Sequence, residues 1–203
     1  MKSELISRYR KLRENILVHV SRDLKGYIES LIQDFIRVDG IYTRAKSVDS
    51  FIKKAEQIDN GIVKYKDPIN QIQDQIGARI VVNYLSDVKR IKEEFVELYF
   101  KHIENKRIVP DSDKEFGYFG EHYILLLPED VIDGFENEEN CPVLFEMQIH
   151  TLFQHAWGEA NHDLAFKGDK ELDSLSKRKV AFTSAQAWGA DLIFEELHKG
   201  MMN

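Results

Sequence analysis

Two carboxylates stand in settings where they could do chemistry. Asp74 precedes Ile76, Gly77, Ala78 and Arg79 at the entrance to the apolar run IVV. A carboxylate beside a glycine at a strand end can hold magnesium together with waters and substrate phosphates, although an ordinary turn aspartate would look the same. Glu146 lies in VLFEMQIHT, where alternation puts Val143, Phe145, Met147 and Ile149 on one face and Leu144, Glu146, Gln148 and His150 on the other. Burying an unpaired carboxylate is costly. A metal, a cation or a solvent-filled cleft is therefore expected against Glu146, with a structural salt bridge as the alternative.

Three further groups surround them in sequence. Arg44, Lys46, Ser50, Lys53 and Lys54 gather at a strand-to-helix junction, with Lys46, Ser50 and Lys54 at four-residue steps; this suits a triphosphate as well as a solvated helix face. Lys114, Gly117, Tyr118 and His122, with Arg107 ahead of them, offer a ring beside a glycine, either to stack on a base or as part of a plain hairpin. His155, Glu159 and His162 follow at helical spacing. They fit a two-histidine, one-carboxylate transition-metal site or a hydrogen-bonded helix face lining a cleft.

The elements that must position these residues show in the apolar periodicity. Leu5, Tyr9, Leu12, Ile16, Val20, Leu24, Ile28, Leu31 and Phe35 predict helix over 3–38, with a break near Ser21 or Gly26. Residues 41–44 read as extended and 47–56 as helix. Strands are expected over 78–83, 101–109, 121–127 and 143–149, with a helix over 86–99 between the first two, a polar loop over 133–140, and helices over 152–166 and 172–198. Interleaved strands and helices imply an α/β fold: a mixed sheet of about five strands flanked by helices. The expected division is one domain over 1–203, with an N-terminal helical segment 1–38, a catalytic core 39–167 and a C-terminal helix 168–203.

Composition narrows the function. A net charge of -7 argues against broad adhesion to nucleic acid. Residues 1–60 nevertheless carry 12 basic and 9 acidic side chains, so a polyanion should approach the N-terminal part or a local basic pocket. The single cysteine, Cys141, allows no internal disulfide or zinc cluster. No apolar run is long enough for a membrane helix, and the charged start MKSELISRYRKLRENI is unlike a signal peptide. A cytoplasmic protein with no membrane partner is expected.

In order, RAKSVDSFIKK, DQIGARIVV, KEFGYFGEHY, FEMQIHT and HAWGEANHDLAFK resemble the synthetase domain of the RelA/SpoT family in its small single-domain form. The resemblance implies a nucleotidyltransferase-like synthetase fold and transfer of the β,γ-diphosphate of ATP to a ribose 3'-hydroxyl. It assigns Arg44, Lys46, Ser50, Lys54 and Arg79 to ATP, and Asp74 and Glu146 to catalysis and to magnesium. Arg107, Lys114, Tyr118, His122, Gln148 and His155 fall to the acceptor. Three departures from the family pattern, Phe116 in place of asparagine, Phe119-Gly120-Glu121 in place of a more polar trio, and His150 in place of arginine, all lie on the acceptor side.

The acceptor reading favoured by the resemblance is GDP or GTP, giving guanosine tetra- or pentaphosphate. A toxin-like relative modifying the 3'-terminal adenosine of transfer RNA is the alternative, with Arg8, Arg10, Lys11 and Arg13 as its RNA contacts and a partner antitoxin implied. A catalytically inactive nucleotide-binding regulator is a third. The amphipathic terminal helices would also suit a homo-oligomer.

Overall fold

Tyr9, Leu12 and Ile16 keep one helical phase, while Leu17, Val20, Leu24 and Ile28 keep another shifted by one residue, and all seven are buried. The first helix, α1, absorbs the shift without breaking. It runs through Lys2–Leu12, a π-turn over Arg13–Leu17, and Val18–Leu31; the extra residue of a π-turn lets both stripes meet the same core. The break expected near Ser21 or Gly26 is therefore absent, since both lie inside an unbroken helical stretch. The helix also ends seven residues before the predicted limit of 38, where Val38 opens the first strand.

The structure is a computed structural model that describes residues 2–108, 112, 115–117, 120–135, 138–167 and 172–202. After α1 come β1 (Val38–Ala45), α2 (Val48–Ala55), β2 (Ile58–Asp59), β3 (Ile62–Val63), α3 (Pro68–Gln71) and β4 (Ile76–Val82). The helix α4 joins Leu85–Ile91, a π-turn over Lys92–Val96 and Glu97–Tyr99; β5 (His102–Ile108), β6 (Gly120–Leu126), α5 (Glu129–Ile132), β7 (Leu144–Thr151), α6 (Leu152–Lys167) and α7 (Ser174–Met202) follow. Sequence periodicity did not reveal the hairpin β2–β3. Its turn residues, Asn60 and Gly61, both take positive φ, as a two-residue hairpin turn requires.

The five long strands form one mixed sheet in the order β1-β4-β7-β6-β5. Only β4 and β7 are parallel; the other neighbours are antiparallel. Phe145, Met147 and Ile149 of β7, with Ile80, Tyr123 and Leu125, join the core that α1 and α2 cover. Alternation then turns Glu146, Gln148 and His150 to the opposite face. Register sets the partners there. Lys106, His122, Gln148, Arg79 and Tyr42 form one row across the five strands, and Ile124, Glu146, Gly77 and Arg44 form the next.

Candidate active site

The lysine junction is held from beneath. Ser47 caps α2, its hydroxyl accepting from the Ser50 amide at 3.2 Å and donating to Ser50 Oγ at 2.9 Å. Lys46, just ahead of the cap, donates its amide to Gln75 O at 2.8 Å. Its carbonyl accepts from Tyr9 Oη at 3.1 Å and Arg13 Nε at 3.2 Å. Tyr9 in turn stacks flat on Phe51, with ring centroids 3.6 Å apart. Arg13, grouped by sequence with an RNA-binding run, is thus a brace for the junction, while Arg8, Arg10 and Lys11 stay exposed.

Both lysines reach Asp74. Lys54 Nζ lies 2.7 Å and Lys46 Nζ 3.1 Å from Oδ2, while Oδ1 is buried with no hydrogen-bond partner. Burial alone would raise the Asp74 carboxyl, but the two ammonium groups hold it below the usual carboxylate range. The loop is fixed by Gln75, whose side-chain amide donates to Ile69 O at 2.7 Å and Ile72 O at 3.0 Å. Around the lysines opens a cavity of about 500 Å³ lined by Arg44, Lys46, Ser50, Lys53 and Lys54. The whole predicted phosphate-binding set therefore shares one space, except Arg79.

Arg79 stands in the neighbouring cavity, of about 240 Å³, with Tyr42, Arg44, Glu146, Gln148, His155 and Glu159. Arg44 lines both spaces and joins them. A chain of hydrogen bonds crosses this cavity. Arg79 donates to Glu159 Oε1 and, at 3.0 Å, to His155 Nδ1; a guanidinium can only donate, so Nδ1 accepts and the imidazole carries its proton on Nε2. Arg79 also donates to Gln148 Oε1 at 3.0 and 3.2 Å. Gln148 Nε2 then donates to Glu146 Oε2 at 2.9 Å, and His122 Nδ1 lies 2.9 Å from Glu146 Oε1.

Burial would raise the Glu146 carboxyl, but the hydrogen bond and charge of His122 hold it below the usual range against the repulsion of Asp74. A carboxylate kept ionised in this way suits cation binding better than proton uptake. His155 is lowered by burial first and then by Arg79, in keeping with its acceptor role. Tyr42 lies on the His155 ring, centroids 5.1 Å apart. That position needs Gly40, where an added Cβ would come within 2.8 Å of the Tyr42 ring and displace it.

The predicted acceptor set is only partly assembled. Gln148, His122 and His155 converge with Arg79 and Glu146. Arg107 does not: its register partner is Glu121, whose other neighbour is the core residue Ile149, so it occupies the opposite face. It pairs loosely with Glu121 at 3.6 Å beside a cavity of about 930 Å³ that also takes in Phe116, Gly120 and Trp188. Lys106, one residue earlier, sits in the His122 row instead. Lys114 and Tyr118 lie outside the described residues. His150 is fully buried, and burial followed by the charges of Arg79, His122 and His155 pushes it down to about 3; an apolar-like neutral imidazole stands where the family pattern has a cation.

The rival transition-metal site does not form. Among the described residues no three His, Cys, Asp or Glu side chains gather to hold a metal ion; Arg79 engages His155 and Glu159, while His162 lines the lysine cavity. Sequence patterns also passed over Tyr42, although it shares a strand face with Arg44 two residues on and was recoverable from that alternation.

This architecture and site define a class. The family described as the region found in RelA / SpoT proteins matches residues 43–171, and the chain belongs to it. It is 27% identical over 193 residues to GTP pyrophosphokinase YjbM of Bacillus subtilis (strain 168), covering 93% of this chain and 84% of that protein. The fold is shared with small alarmone synthetase 1 from Bacillus subtilis bound to its product pppGpp, at a TM-score of 0.74 and 24% identity over 95% of this chain and 100% of the other. A GTP pyrophosphokinase family protein from Streptococcus pneumoniae matches at a TM-score of 0.69 and 20% identity over 98% and 93% of the two chains. Among the described residues no helix is long and apolar enough to cross a membrane.

Proposed function

We propose that this protein transfers the β,γ-diphosphate of ATP to the 3'-hydroxyl of GDP or GTP. That it is an enzyme of the pyrophosphokinase type follows from its family and from its relative YjbM. The single observation that supports the substrate reading is Arg44, which lines both the lysine cavity of about 500 Å³ and the cavity of Glu146. In the reaction the 3'-oxygen attacks the β-phosphorus, the bond from that phosphorus to the α-phosphate oxygen breaks, AMP leaves, and the hydroxyl proton is released. Negative charge gathers on the moving diphosphate, and Arg44, Lys46 and Lys54 stabilise it from a preorganised position.

Asp74 and Glu146 would hold the magnesium ion. The fit rests on the buried, partnerless Oδ1 of Asp74 and on two ionised hard-oxygen donors close enough to feel each other's charge. Bound there, magnesium would neutralise charge on the transferred diphosphate. Glu146 remains ionised and is kept in place by His122 and Gln148, which suits orienting the hydroxyl.

Transfer RNA is a second reading favoured by one observation. The exposed Arg8, Arg10 and Lys11 belong to the helix whose Tyr9 and Arg13 brace the lysine junction, which gives that helix a basic surface suited to an RNA backbone. Incubation with γ-labelled ATP and GDP, GTP or deacylated transfer RNA separates the two. Label is expected in the mononucleotides, and Glu146→Gln should abolish transfer, because magnesium must be held by anionic oxygen. Label in transfer RNA alone would overturn the mononucleotide reading.

A further inference from the structure

Glu159 has no task in the transfer described above, yet it sits at the cavity that adjoins the lysine cradle. That cavity is framed by planar groups: the guanidinium groups of Arg44 and Arg79 and the stacked Tyr42 and His155 rings. Such walls fit a flat heterocycle, because guanidinium planes stack on aromatic faces. Its hydrogen-bonding character is lopsided. Arg44 and Arg79 can only donate. The Gln148 carbonyl oxygen is taken by Arg79 and its amide by Glu146, and His155 Nδ1 is also taken by Arg79. Apart from Glu146, the carboxylate at this cavity is Glu159, whose Oε1 is bound by Arg79 while Oε2 makes no hydrogen bond among the described residues; the Tyr42 and Thr43 hydroxyls can donate as well as accept and so discriminate less. Burial would raise the Glu159 carboxyl, but its bond to Arg79 holds it below the usual range, so it acts purely as an acceptor at neutral pH.

We infer that Glu159 selects the donor base: its carboxylate accepts from the exocyclic 6-amine of adenine and repels the 6-oxo group of guanine or hypoxanthine. The inference rests on the reading of Arg44 and Arg79 as donor-side residues, and it moves His155, which the resemblance gave to the acceptor, to the wall of the donor-base cavity. It links base choice to catalysis through the chain Glu159, Arg79, Gln148, Glu146, because a base that satisfies Glu159 leaves Arg79 correctly placed to hold Gln148 against the reacting carboxylate.

The test varies only the group at position 6. The α,β-methylene triphosphates of adenosine, purine riboside and inosine, which cannot transfer their diphosphate, are titrated by calorimetry into the protein and into Glu159→Gln. Saturating GDP keeps the acceptor side filled. Adenosine should bind about tenfold or more tighter than inosine, with purine riboside between them. In Glu159→Gln, whose amide can donate to an oxo group, the adenosine-to-inosine ratio should fall to within about threefold. An unchanged ratio would overturn the inference, as would an equal loss for all three ligands, the signature of a mere tether for Arg79. Transfer to GDP is measured separately: adenosine preference that depends on Glu159 without any diphosphate transfer would sink the proposed reaction and leave the selectivity standing.

Discussion

Replacing Asp74 with asparagine isolates the two jobs assigned to that carboxylate. In the free protein it is the shared counter-ion of Lys46 and Lys54, and the side chains of all three are mostly buried. Stripping one partner from a fully buried ion pair costs roughly 3 to 5 kcal/mol. Here both ammonium groups border an open cavity of about 500 Å³, so they regain water once released, and the asparagine oxygen still accepts one hydrogen bond. The expected loss is therefore about 2 kcal/mol at pH 7. The pH dependence has a definite sign. The folded-state pKa of Asp74 is depressed, so its stabilisation is present above the unfolded value of about 3.9 and disappears as pH falls through the folded value. Urea unfolding of Asp74→Asn and the parent should thus differ by a constant amount between pH 5 and 8 and converge in more acidic solution. Diphosphate transfer should be abolished throughout. A variant within about 0.5 kcal/mol of the parent at pH 7 would refute the counter-ion role, and one that still turns over with unaltered magnesium dependence would refute the metal assignment.

Two further outcomes follow from other parts of the structure. Arg8, Arg10 and Lys11 changed together to glutamine should leave transfer to GDP nearly unchanged, whereas under the transfer RNA reading modification of transfer RNA should fall and become less salt-sensitive; Arg13 is left intact because it braces Lys46. Asp191, buried on α7, is pushed up to about 6 by burial, against hydrogen bonds from Thr151 and Gln154, so its ionisation opposes folding above that pH. Raising the pH from 5 to 8 should cost the parent about 1 to 1.5 kcal/mol at this group, a loss absent from Asp191→Asn when the two are compared by urea unfolding; equal slopes would disprove it.

Much of the architecture was readable along the chain because it rests on local periodicity. Alternation in 143–149 separated Glu146, Gln148 and His150 from the core, and the interleaved strands and helices announced a mixed sheet. The α1 stripe was equally plain, but its phase shift looked like a break, since only packing against the sheet shows that a π-turn can reconcile the two phases. Residue type and spacing left Arg44, Lys46, Lys54 and Asp74 open between a site and an ordinary surface, and it was the resemblance to the RelA/SpoT synthetase domain that nominated them together with Arg79. Pairing was not legible. Strand order and register put Gly77 opposite Glu146 and turned Arg107 to the other face while Lys106 took the His122 row. Glu159 spaced at helical intervals from two histidines looks like a metal ligand until β4 delivers Arg79 to it. Sequence carries the chemical identity of each side chain and its local face; which face meets which, and hence which charges neutralise one another, is decided by contacts between residues dozens of positions apart.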